Sequence, residues 1–195
     1  MGRYRVWSYR GLVFVAVALM IVSFLLPWWS MGFDIVLGRP DPARIYAYGM
    51  RVWIDMPQEI EMYLKGDETP AYQTYVAFGY LTIAAGLAIA SVKLFGKAGR
   101  WLLGGIGATY IAWGIGAIQM ILHRITDYDI QLQGSSITSE FAGEYPVVAF
   151  TTIRFGFYLA MFAGGLMLAL GIFKPFIEGK QKSSSAVTPE NKTDD

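Results

Sequence analysis

The sequence contains no cysteine, which excludes disulfides, thiolate metal sites, iron–sulfur clusters and cysteine nucleophiles. Any exported part must hold together by packing alone. His123 is the only histidine, too little for a histidine-rich metal site or for paired axial ligands to a membrane haem, and no acid is spaced with it as in H-E-x-x-H. Charge is scarce as well: 16% of the 195 residues are charged, while 54% are hydrophobic. A single soluble domain of this length does not bury so much apolar surface, so the composition points to a membrane protein.

The apolar excess lies in four segments: Gly11 to Trp28, Ala71 to Phe95, Trp101 to Leu122, and Val147 to Phe173. Each approaches the roughly 20 residues needed to cross a hydrocarbon core about 30 Å thick. Backbone groups in lipid must be satisfied internally, and long runs without period-2 alternation leave helices rather than a barrel. The fold class expected is an all-α membrane protein, a bundle of four transmembrane helices at 11–28, 70–95, 101–122 and 147–173. A small extracytoplasmic β-sheet is expected from the two external loops, 29–69 and 123–146.

Charge distribution orients this chain. Residues 1–10 carry Arg3, Arg5 and Arg10 and no acid, and Lys93, Lys97 and Arg100 surround a short turn at 96–100. Residues 28–69 carry four bases and seven acids, and 123–149 one base and four acids. The positive-inside rule then places both termini and the 96–100 turn in the cytoplasm and both loops outside. The first segment is expected to be an uncleaved anchor, because Pro27-Trp28-Trp29 replaces a small-x-small cleavage site. The tail from residue 174 onward is expected to be disordered and cytoplasmic, its end polar and without periodicity.

Loop one shows partial alternation in "WSMGFDIVLG" and "GMRVWIDM", the pattern of half-buried strands, with a break at Pro40-Asp41-Pro42. Asp55 and Pro57 then suggest a helix start, with Ile60, Tyr63 and Leu64 as its apolar face. Loop two reads as a hairpin turning at Gly134-Ser135 within "DYDIQLQGSSITSEF". A lone hairpin is marginal, so it should pair with or pack on the strands of loop one.

Small residues form stripes at i, i+4 spacing: Gly104, Ala108, Ala112 and Gly116 in the third segment, Gly156, Ala160 and Gly164 in the fourth, and Thr82, Gly86 and Ala90 in the second. In lipid such stripes let backbones approach closely, so they serve either packing within the chain or docking of another subunit or copy. Packing within the four-helix bundle is the first reading, and Gly105, Gly107 and Gly114, which give the third segment small residues on further sides, add to the case for docking.

Polar residues inside the segments are few. Arg154, Gln119 and His123 form a candidate polar site or salt-bridge cluster, with Asp127, Asp129, Glu140 and Glu144 as acids for Arg154. Trp28, Trp29 and Trp53 are candidate interfacial anchors, since amphipathic rings suit the headgroup level. The chain has no phosphate loop, dinucleotide fingerprint, nucleophile elbow, spaced calcium loop or basic nucleic-acid face, so no catalytic residue, cofactor or metal ligand is assigned.

The tryptophans after the first segment and Trp53 in "YGMRVWIDM", with the longer first and shorter second external loop, resemble the claudin and peripheral-myelin-protein group. The two cysteines that group carries after its tryptophan are absent here. The Pro-Trp step equally resembles prokaryotic four-helix membrane proteins. The function expected is that of a non-catalytic accessory or scaffold subunit, with the lipid bilayer and other membrane subunits or further copies of itself as partners, and no nucleic acid. The claudin resemblance implies instead adhesion or barrier formation by self-assembly. A third expectation is a small transporter or quinone-associated enzyme subunit with a site near Arg154.

Overall fold

The computed structural model describes residues 2–34, 43–52, 70–94, 97–126, 129–138 and 147–185. In chain order these form α1 (Gly2–Leu25), β1 (Trp29–Phe33), β2 (Ala43–Tyr46), β3 (Gly49–Val52), α2 (Ala71–Ser91), α3 (Lys97–Thr126), β4 (Gly134–Thr138), β5 (Val147–Ile153) and α4 (Phe155–Ser185). The structure thus has four helices that are long and apolar enough to cross a membrane, at Ser8–Leu25, Ala71–Ser91, Lys97–Thr126 and Phe155–Lys174. It also has one small antiparallel sheet. The helix expected after Asp55 and the anchor Trp53 lie outside the described residues.

The helices contact one another around a ring: α1 on α2 and α4, and α3 on α2 and α4. Their shared core holds Val13, Met20, Phe24, Leu103, Tyr110 and Met167. The closest approach is between α3 and α4, where a Cβ on Gly107 would lie 2.5 Å from the Gly164 carbonyl oxygen and one on Gly171 would lie 2.8 Å from the Gly104 nitrogen. Without side chains at these points the two backbones touch, gaining dispersion contact between the helices.

The sheet has strand order β3-β2-β1-β5-β4. Its neighbouring strands β1 and β5 grow directly from two packed helices, β1 out of α1 and β5 into α4, with Trp29 opposite Ile153. Backbone bonds continue past the strands, from Trp28 N–H to the Ile45 oxygen at 2.7 Å and from Arg154 N–H to the Trp28 oxygen at 2.8 Å. One face of the sheet carries Trp29, Met31, Phe33 and Ala149 onto Ile121 and Ile125 of α3. At about 1.5 Å per residue α3 runs about 45 Å, longer than a hydrocarbon core of about 30 Å, so its last turns are free to serve as the floor of the sheet.

Three differences from the sequence expectation are local. Val147–Ile153 is a strand rather than the start of the fourth helix, which begins at Phe155. β-Branched residues in a run of apolar residues and threonine fit an interior strand as well as a helix, and here the pairing with β1 decides. The hairpin in the second loop is therefore β4 with β5, Gly134 opposite Thr151, with no turn at Gly134-Ser135. Finally, α3 already begins at Lys97, and α4 continues to Ser185 through the stretch expected to be disordered.

Candidate functional site

α1 stops because Pro27 has no N–H to give the carbonyl of Ser23, four residues earlier. The indole Nε1 of Trp28 donates to that carbonyl instead, at 2.7 Å. Beside it, the Tyr110 and Ser23 hydroxyls share a hydrogen bond of 2.8 Å, and each also reaches the Met20 carbonyl. The Trp28 ring meets Tyr110 and Phe157 edge-on. Gly156 fits against this exit, since a Cβ there would lie 2.6 Å from the Pro27 oxygen. Trp29 points to the opposite side and donates to the Leu132 carbonyl beneath the sheet. Both indoles are buried, at 0% and 2% exposure, so neither presents its ring at the surface of the molecule; the backbone and packing demands of the chain exit hold them inside.

The exposed aromatic side chains lie elsewhere. Tyr72, Tyr75, Phe155 and Tyr158 surround the sheet end of the helices, and Trp101, Phe173 and Phe176 the end that carries the termini.

The tip of the β2–β3 hairpin docks among α1, α2 and α3. Gly49 takes φ 129°, a left-handed conformation that turns the chain. The Trp113 indole donates to the Ala47 carbonyl at 3.0 Å and stacks on Tyr80. Tyr48 packs against Phe24 and Phe78, with the Arg51 guanidinium 5.9 Å from its ring centre. Arg51 donates to the Thr74 hydroxyl, which donates on to the Tyr48 carbonyl. Burial, with a smaller contribution from Tyr46, pushes the Tyr48 phenol above its ordinary value of 10.0, against the opposing pull of Arg51.

The candidate polar residues lie on separate surfaces. Arg154 links β5 to α4 and donates through Nε to the Ser30 hydroxyl at 2.7 Å, on the sheet face away from α3. Gln119 and His123 are exposed, one turn apart on α3. Among the described residues no three His, Cys, Asp or Glu side chains gather as metal ligands would.

The small-residue stripes divide. On α4, Ala160 is fully buried, Gly164 meets Ile111 and Gly107, and Gly156 meets Pro27. On α3, packing runs through Gly107 and Gly114, and Gly104 meets Gly171 only by its backbone. Ala108 and Ala112 are exposed, and a Cβ on Gly105 or Gly116 would meet nothing within 4 Å. On α2 it is Ala77, Ala84, Ala88 and Ser91 that are buried, while Thr82, Gly86 and Ala90 are exposed.

Two features have a sequence signal that only spacing carries. Lys174 is buried at 2% exposure and continues the 3–4 rhythm of Ala160, Ala163, Met167 and Leu170 along α4. The aromatic hairpin tip is marked by Tyr46-Ala47-Tyr48-Gly49. No known family model matches the chain, and no curated protein matches it.

Proposed function

We propose that this chain is an integral membrane interaction protein, a non-catalytic accessory or scaffold subunit whose α3 helix docks a partner helix or a second copy. The observation that carries the reading is the open face of α3. Gly105, Ala108, Ala112 and Gly116 follow one another along the side turned away from α2 and α4, and no contact among the described residues needs them small. Glycine in a helix costs about 1 kcal/mol relative to alanine, and close approach of another helix is what would offset it. In this reading the chain spans the bilayer four times. The bases Arg10, Lys93, Lys97 and Arg100 at the terminal end mark the cytoplasmic side, and the sheet is extracytoplasmic.

The test is the mass and composition of the particle extracted in mild detergent. Ala112→Leu and Gly116→Leu should strip the partner or second copy, lowering recovery of the complex by roughly tenfold, the loss of about 1.4 kcal/mol of docking. Folding of the chain should be unaffected. Recovery of wild type as a lone monomer would count against the reading.

One observation favours a second reading, self-assembly through the sheet in the manner of claudins. Ile137 is 72% exposed on the edge strand β4 and shares its face with exposed Phe150. Ile137→Lys would then abolish assembly while Ala112→Leu left it intact.

A further inference from the structure

α4 delivers a lysine to the point where the other three helices meet. Lys174 Nζ donates to the Ser91 carbonyl, the last of α2, at 2.5 Å and to the Leu94 carbonyl just beyond it at 2.6 Å. The Tyr9 ring of α1 lies with its centre 6.0 Å from the ammonium. Gly99, in the first turn of α3, leaves the room: a Cβ there would strike Nζ and would lie 2.6 Å from the Leu94 oxygen. Ser91, itself buried, keeps its hydroxyl on the Ala88 carbonyl and leaves its own carbonyl to the lysine.

A buried ammonium is costly unless it is well solvated by the protein. The C-terminal end of a helix supplies suitable solvation, with carbonyls lacking intrahelical donors and the negative end of the macrodipole. The aromatic face of Tyr9 adds a further favourable surface. The chain between the two contacted carbonyls, Val92–Lys93, is a turn that follows α2; Lys93 within it and Lys97 at the start of α3 are exposed.

We propose that Lys174 is a cationic latch, a single charge that closes the turn after α2, from Ser91 to Leu94, onto α4 and α1 and holds this end of the molecule shut. The latch depends on charge in a carbonyl cage, not on filling space. Replacing the ammonium with an apolar group of similar length should therefore open the turn while the sheet end stays packed.

Limited trypsin digestion of the full chain in detergent reads the opening at Lys93 and Lys97. Lys174→Met should raise cleavage there by roughly ten- to a hundredfold, the range for losing hydrogen bonds to a charged group. In Lys174→Ala, added propylammonium should slow that cleavage again, and propanol at equal concentration should not. If the Lys174 variants fail to fold, Gly99→Ala keeps the lysine but displaces its ammonium, and should open the same turn. Wild-type cleavage rates in both Lys174→Met and Gly99→Ala, or rescue by propanol as well as by propylammonium, would overturn the proposal.

Discussion

Pro27 removes an amide from the last turn of α1, and the indole of Trp28 puts a donor back. Trp28→Phe keeps most of the ring but leaves the Ser23 carbonyl buried without that donor. A loss of about 2–4 kcal/mol is expected from the unsatisfied carbonyl together with the small cavity. Equilibrium unfolding in mixed detergent would measure it. Glycines on the two sides of α3 should behave oppositely. Gly107→Ala sets a methyl against the Gly164 carbonyl and should destabilise by about 1–3 kcal/mol. Gly116→Ala meets open space and should be neutral or stabilising by up to about 1 kcal/mol in the isolated chain. At this scale the sequence is a partial guide. The Pro-Trp-Trp step marks a chain exit, but whether an indole faces lipid or core depends on which carbonyl lacks a donor, and that is a three-dimensional fact.

Elements differ in how plainly they can be read. The helices follow from apolar runs of membrane length, and the strand character of Trp29–Phe33 and Gly49–Val52 from alternation. β2 is harder, since Ala43–Tyr46 offers four residues and one arginine, and its register comes from β1 and β3 on either side. β5 is hardest, because a strand of apolar and threonine residues and a helix end look alike until a partner strand is present. The stripe on α4 is legible as packing, whereas the stripes on α2 and α3 sit beside the faces that pack. A small residue allows close approach but does not say from which side. The β2–β3 hairpin tip gives an element-level prediction: Trp113→Phe removes the donor to Ala47 and should loosen the tip at a cost of about 1 kcal/mol. Hydrogen exchange of the Tyr46–Gly49 amides would report it, with the strands β1 and β5 unchanged.

For the whole molecule, the sheet rests on one end of the helices through β1 and β5, and the start of α1, the end of α4 and the bases Arg10, Lys93, Lys97 and Arg100 lie at the other. The proposed orientation predicts that Ser135→Cys reacts with an impermeant maleimide added outside intact cells, and that Lys93→Cys reacts only after permeabilisation. Reversed reactivity would invert the topology. The absence of native cysteine means that one introduced thiol reports only its own position. That property also allows the central claim, that the open α3 face is a docking surface, to be tested in the native membrane. Oxidative and bifunctional cross-linking should be compared for Ala112→Cys and, as exposed positions elsewhere, Ile83→Cys on α2 and Phe162→Cys on α4. The account predicts that Ala112→Cys gives one discrete cross-linked product at several times the yield of either control. Equal yields at all three positions would contradict it.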